Sequence, residues 1–296
     1  MAGLKEVRIR IASVKSTQQI TAAMKMVSAS KLRKAQNSIL KLRPYAAKLQ
    51  QILQNLSATI ENSHESVFSE QREPQKILLL VIASNRGLCG AFNSNIMKAA
   101  VGLMNAKYSS QLSKGNVSLI TIGKKATEYF QKRGYKVTGS HDYFFDKLNF
   151  ATISPFAESL MREFVKKNYD RIEIVYNQFK NASVQKLVTE QFLPVVPQET
   201  KGEKTVPAMK ADYIFEPDKE TVVRELIPKT LRIQVFKAIL DSFAAEMGAR
   251  MTAMQQATDN AQDLLKSLNI TYNKARQNQI TNDLIEIVSG AEALKG

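Results

Sequence analysis

From Lys229 to Ser289 the chain contains no proline and a single glycine, Gly248. Apolar residues recur there at three- and four-residue steps: Phe236, Leu240, Phe243, Met247, Met251, Met254, Ala257, Ala261, Leu264, Leu268, Tyr272 and Ala275. That spacing draws a narrow apolar stripe along one helix face, the seam of a coiled coil. At 1.5 Å per residue such a helix runs to about 90 Å, far beyond an ordinary globular helix. Asp218, after Pro217, is the expected N-cap, and Ser289-Gly290 the expected stop. A two-stranded seam needs a second helix, and the rest of the chain must supply it.

Residues 4–43 contain neither proline nor glycine. Leu4, Val7, Ile11 and Val14 open a matching stripe, which resumes with Met24, Val27 or Ser28, Leu32, Ala35, Ile39, Leu42, Leu49, Leu53, Leu56 and Ile60. This is the partner. Pro44 is expected to kink or strain it, because proline removes one backbone hydrogen bond. Gln18 and Thr21 interrupt the stripe, and polar residues in a seam commonly set register at a cost in stability.

The texture between the helices is different. Residues 61–75 are polar and read as a linker. Ile77 to Ala83 and Val117 to Ile122 are short β-branched runs of the kind buried on both faces of a sheet, and Tyr135 to Thr138 is a shorter third candidate. A periodic stretch from Ile96 to Met104 reads as helix. So does Pro155 to Lys167, with Ser154 as its N-cap. Arg171 to Phe179 and Ser183 to Leu193 alternate around Lys180-Asn181-Ala182, as an antiparallel hairpin does. Strands alternating with helices give a small Rossmann-like α/β domain. The expected fold is therefore a long antiparallel two-helix coiled coil made by the N- and C-terminal helices, with the α/β domain inserted between them. The boundaries are 1–60 for the first helix, 61–75 for the linker, 76–210 for the insertion and 211–296 for the second helix. If Leu56 packs near Val222, the N-terminus falls near Ala275. Roughly the last twenty residues, about 30 Å of helix, then have no partner in the chain. That tail still carries Ile280, Leu284, Ile285, Ile287, Val288 and Leu294, so it needs a foreign sleeve.

Composition narrows the function. The longest apolar run, Ile77 to Ala83, is too short to span a bilayer, and the N-terminus is expected to be neither a secretory signal nor a removable leader. Cys89 is the only cysteine, so no disulfide can close within the chain. With His64 and His141 the only histidines, a His/Cys metal site is not expected. The net charge is +15, and residues 1–50 hold eleven basic residues against the single acid Glu6. Such a helix calls for an acidic partner: nucleic acid, anionic lipid or acidic protein loops.

The one loop that invites a catalytic reading is Ser84-Asn85-Arg86-Gly87-Leu88-Cys89-Gly90-Ala91-Phe92-Asn93, which follows a buried strand and opens a helix. It holds only G-x-x-G, short of any dinucleotide or P-loop fingerprint, and reads as a tight strand-to-helix turn. Cys89 has no histidine nearby in sequence and reads as a buried thiol. His141 lies in the aromatic stretch HDYFFDKLNF and reads as packing. No carboxylate pair or triad supports catalysis, so no catalytic, cofactor or metal residues are expected. Residues 1–44 lack the aromatic interleaving of single-strand binders. A basic coiled coil held to nucleic acid through phosphates remains the alternative to a mechanical protein with an acidic protein partner.

Three blocks decide between them. RIRIASVKSTQQITAAMKMVSASKLRKAQ near the start, SNRGLCGAFN in the middle, and ARMTAMQQATDNA with ITNDLIEIVSGAEAL near the end strongly resemble the gamma-subunit family of the F-type ATP synthase, in the family order. The resemblance implies the central stalk of a rotary, proton-translocating motor. That stalk turns inside a hexamer of alpha and beta subunits, and its α/β part sits beside epsilon on the membrane c ring. It couples and regulates ATP synthesis or hydrolysis without an active site of its own. It also implies residue roles. Met24, Lys25, Arg250, Gln277, Thr281 and Asp283 match positions that meet acidic beta-subunit loops, Asp283 standing where the family usually has glutamate. Tyr213 and Glu216 match positions facing the c ring. Ile280, Leu284, Ile285, Ile287, Val288 and Leu294 would turn in the hexamer bearing. Asn85 stands where the family usually has aspartate, which puts a charge-dependent role there in doubt. The family's chloroplast-type cysteine insertion is absent, so thiol regulation is not expected. The resemblance further implies a peripheral place on the cytoplasmic face of a bacterial inner membrane.

Overall fold

The computed structural model describes residues 4–57, 67–146, 148–195 and 219–294. Two long helices, α1 (Leu4–Ser57) and α6 (Lys219–Ala293), bracket a five-stranded sheet. The chain divides into two compact units. One comprises residues 1–29 and 250–296, the other residues 30–249.

The smaller unit is an antiparallel helix pair. The Arg8 guanidinium donates to the Tyr272 hydroxyl at 2.9 Å, and the Thr258 hydroxyl donates to Thr21 Oγ1 at 2.8 Å. Residue numbers rise along one helix as they fall along the other. The seam is a strict heptad, with the 3–4 alternation that keeps one face turned to a partner. In α1 the inward side chains are Leu4, Val7, Ile11, Val14, Gln18, Thr21, Lys25 and Ser28. In α6 they are Met254, Thr258, Ala261, Leu265, Leu268, Tyr272 and Ala275. Of the pair Val27 or Ser28, it is Ser28 that faces inward, Val27 being exposed. Two expectations are corrected: Thr258 takes the place expected of Ala257, and Leu265 that of Leu264, which is 41% exposed. Counting alternate fours and threes from Met254 lands on Thr258 and Leu265, whereas following apolar residues alone slips by one. Thr21 also donates to the Gln18 carbonyl at 3.0 Å, so the polar break in the stripe is a bonded layer within the seam.

The larger unit is a three-layer α/β fold that includes residues 30–57 of α1 and 219–249 of α6. Its strands are β1 (Ile77–Ile82), β2 (Val117–Ile122), β3 (Val137–Ser140), β4 (Arg171–Phe179) and β5 (Gln185–Leu193), in the order β3-β2-β1-β4-β5. All neighbours are parallel except β4 and β5, which form the expected hairpin. The helices between them are α2 (Phe92–Lys107), α3 (Ser109–Ser113), α4 (Lys124–Lys132) and α5 (Phe150–Val165). Every residue of β1 is buried, as a central parallel strand covered on both faces requires. On one face Leu78, Leu80, Ile82, Ile172, Ile174 and Tyr176 meet Ile153, Leu160 and Phe164 of α5 and Leu231, Val235, Ala238 and Ile239 of α6. Residues 231–248 of α6 are therefore buried nearly all round and carry no single stripe.

Further corrections are local. β3 lies two residues later than expected at each end. α5 starts at Phe150, capped by Asn149, whose side chain accepts from Thr152 N at 2.8 Å. That cap, with burial of Ile153, Phe156, Ala157 and Leu160, offsets the hydrogen bond lost at Pro155, so Ser154 lies inside the helix, buried. α1 and α6 run on through Pro44 and Pro228. α6 also continues past Ser289-Gly290 to Ala293. The side chains of Leu53, Leu56 and Val222, and residues Ile60, His64, Tyr213, Glu216 and Asp218, lie outside the described residues.

Asp241, on α6, is 1% exposed, and its Oδ2 has no hydrogen-bond partner among the described residues. Burial pushes its carboxyl up to about 6, against the pull of Lys237 and Arg43. An acid raised in the folded state favours folding when protonated. Its contribution is most favourable below the unfolded value near 4 and is lost as pH rises through about 6. Asp241→Asn should therefore stabilise the chain by roughly 2–3 kcal/mol near pH 8 and leave it unchanged near pH 4. Urea melts of both proteins at the two pH values check this.

Candidate functional site

The Ser84–Asn93 loop leaves the C-terminal end of β1, where open α/β sheets usually take their ligands. Here the loop spends its polar groups on itself. Asn93 Oδ1 accepts from Ser84 N at 3.0 Å, and the Ser84 hydroxyl donates to the Arg86 carbonyl at 2.6 Å. Cys89, 1% exposed, is reached by Asn93 Nδ2 at 3.3 Å. Asn85 ties the loop to its neighbours, accepting from Lys124 N at 3.1 Å and donating from Nδ2 to the Asp142 carbonyl at 2.9 Å. An aspartate cannot make the second bond when ionised, so the amide has a use of its own here. The next element over the sheet end is α6, whose Ser242 hydroxyl donates to the Ile82 carbonyl at 3.5 Å. That bond brings α6 against the C-terminal end of β1, next to the loop.

His141 is packed among Phe144, Tyr143 and Phe156, with ring centroids 4.5 Å from Phe156, and burial lowers its pKa. Among the described residues no group of three His, Cys, Asp or Glu side chains is placed to hold a metal ion. Nor is any described helix long and apolar enough to cross a membrane.

The candidate contact residues gather on the helix pair. Met24 and Lys25 are half-buried, and Arg250 is 8% exposed. The register fixed by Thr21–Thr258 and Arg8–Tyr272 brings Arg250 opposite Ala29, about one turn from Lys25. Gln277, Thr281 and Asp283 are exposed on one stretch of α6, and the Thr281 hydroxyl donates to the Gln277 carbonyl at 2.9 Å. Beyond Ala275 every described side chain is exposed. Ile280, Leu284, Ile285, Ile287 and Val288 lie between 51% and 67%, and Leu294 reaches 89%. Sequence reasoning missed Thr258 and Asp241. A strict heptad count would have found the first. A lone acid inside the apolar run Ala238–Ala245, four residues after Lys237, was the available signal for the second.

A family profile described as ATP synthase matches residues 3–294. An ATP synthase gamma chain from Flavobacterium johnsoniae is 53% identical over 296 residues, with both chains covered completely. The chain belongs to the ATP synthase gamma-chain family. A second gamma chain, from Cytophaga hutchinsonii, is 51% identical over 99% of each chain. The fold is also that of solved central stalks. The match to the rotor of Euglena gracilis mitochondrial ATP synthase has a TM-score of 0.65 at 23% identity and covers 94% of this chain and 98% of that one. The central stalk of the Tetrahymena thermophila enzyme gives 0.57 at 23% identity, covering 80% and 99%. Membership makes the chain a central-stalk rotor subunit. The gamma-chain seam and its bare apolar end are thus parts of a machine whose other subunits are separate chains.

Proposed function

We propose that this gamma chain turns inside a hexamer of alpha and beta subunits and passes torque between that hexamer and a membrane c ring, with epsilon beside its α/β unit. The observation that carries this reading is the apolar end of α6 beyond Ala275. Exposed apolar surface on that scale marks a place that another protein encloses. Met24, Lys25, Arg250, Gln277, Thr281 and Asp283 are the proposed contacts to acidic beta-subunit loops. Tyr213 and Glu216 are the proposed contacts to the c ring. A pair of helices has no three-fold axis, so it offers each of three identical catalytic subunits a different face. Each subunit then settles into the state its face binds best. The site of action is the cytoplasmic face of a bacterial inner membrane, reached through the c ring. The bacterial source of the relatives supports that placement.

The test is co-expression with the alpha and beta subunits of the same source, followed by sizing with multi-angle scattering. The expected product holds one copy per hexamer, with ATPase activity present in the complex and negligible in the isolated chain. A chain that ignores the hexamer and instead retards DNA in a salt-dependent way overturns the proposal.

A further inference from the structure

Up to Ala275 the α1-facing side of α6 keeps its heptad, and the next places on that line are Gln279, Asn282, Glu286 and Ser289. All of these are polar and exposed, so the line that binds α1 stops there. The apolar residues of the bare end hold a heptad of their own. Ile280, Leu284, Ile287, Ala291 and Leu294 follow steps of four, three, four and three. At about 100° per residue this second stripe points roughly 140° round the helix from the first. It is a separate surface, with the spacing that receives another helix.

We propose that two copies of the free chain pair antiparallel through this stripe, covering it before a hexamer does. Antiparallel pairing sets Ile280 against Ala291 of the second copy and Leu284 against Ile287 of the second copy, and two-fold symmetry repeats each contact. A large side chain then meets a small one in the outer layers. Parallel pairing would set Ala291 against its own counterpart and leave a gap in the seam.

Charge favours the same sense. Residues 277–294 carry Asp283, Glu286 and Glu292 and no lysine or arginine, whereas Lys274 and Arg276 lie just before them. Antiparallel tails bring the C-terminus of each α6, the negative end of its dipole, beside Lys274 and Arg276 of the other copy. Parallel tails would lay the two acidic stretches side by side. The bare end is already helical, so pairing orders no backbone. Two heptads of paired helix fall short of the roughly 1,200 Å² that stable interfaces bury, so the dimer is weak. A weak dimer can give way to a hexamer that encloses the same face.

Sedimentation equilibrium of the full chain, in about 0.15 M salt, tests this without any hexamer, so its failure leaves the proposed function untouched. The mass should be that of one chain near about 1 μM and approach that of two toward about 200 μM. Leu284→Glu puts a carboxylate in an inner layer and should abolish the dimer. Leu284 is 56% exposed, so the single chain loses little by the change. Arg276→Glu should weaken pairing about fivefold, and Lys5→Glu, an equal charge change on α1, should not weaken it. A mass of one chain throughout, a dimer that survives Leu284→Glu, one indifferent to Arg276→Glu, or one weakened as much by Lys5→Glu would each overturn the proposal.

Discussion

Gly123→Ala should cost the larger unit several kcal/mol, about 3–5, the largest loss expected from a methyl group added at any of the described glycines. Gly123 sits between β2 and α4 at φ +105°, a region L-residues rarely adopt. A Cβ there would lie 2.3 Å from the Ala83 carbonyl oxygen, 2.8 Å from its carbon and 3.0 Å from the Ser84 carbonyl carbon. All three are backbone atoms, so no rotamer change relieves the clash. They also belong to a stretch held from both sides, with Ala83 N bonded to the Ile122 carbonyl and Lys125 N to that of Ser84. Urea unfolding of the purified chain measures the effect. Gly102→Ala, inside α2 with nothing within 4 Å of the new methyl, is the control. It should stabilise by about 0.5–1 kcal/mol. A near-neutral Gly123→Ala would mean that the β1–β2 end of the sheet is not held as described.

Replacing Ile280, Leu284, Ile287 and Val288 together with serine should leave the melting temperature of the isolated chain unchanged and weaken its capture by the catalytic hexamer. All four are more than half exposed, so the free chain has little burial to lose. Burying such side chains contributes about 1.5–3 kcal/mol each, and even a third of that over four positions weakens assembly by roughly thirtyfold or more. With these residues in the proposed bearing role, complexes that do assemble should still turn over and remain coupled. Melting curves on the free chain and titration of labelled chain into the hexamer separate the two effects. Unchanged assembly would remove the bearing from the proposed function.

The seam was legible because its chemistry is periodic. Val7, Leu32, Ala35, Ile39 and Leu268 sit where three- and four-residue steps put them, all buried. The same rule misled where the inward residue is polar or its neighbour is more apolar. Thr258 lost to Ala257, and Leu265 to Leu264, because each apolar neighbour fits a three- or four-residue step from the residue before it, although it points about 100° away round the helix. In the larger unit α6 touches both α1 and the sheet, so periodicity carries no information there, and the solitary Asp241 stood out in no pattern. The α5 start was missed because Pro155 is the stronger local signal, while the Asn149 cap depends on one side chain closing on Thr152. Gly248 is the one glycine between Lys229 and Ser289. It is a clearance, since a Cβ there would stand 3.0 Å from the Ala182 carbonyl in the β4–β5 turn.

The strict heptad of the helix pair has a mechanical corollary. Seven-residue spacing on α-helices winds two strands into a left-handed rope, and a rope distinguishes the sense in which it is twisted. Torque in one sense tightens the winding and presses Val7, Ile11 and Leu268 closer together. Torque in the other unwinds it and opens the contact. The bonded hydroxyls of Thr21 and Thr258 interrupt that apolar grip, and a hydrogen bond between two hydroxyls can reorient where packed methyl groups cannot. Elastic strain should therefore collect at this layer. The shaft would then be a spring that is stiffer in one direction of rotation than in the other.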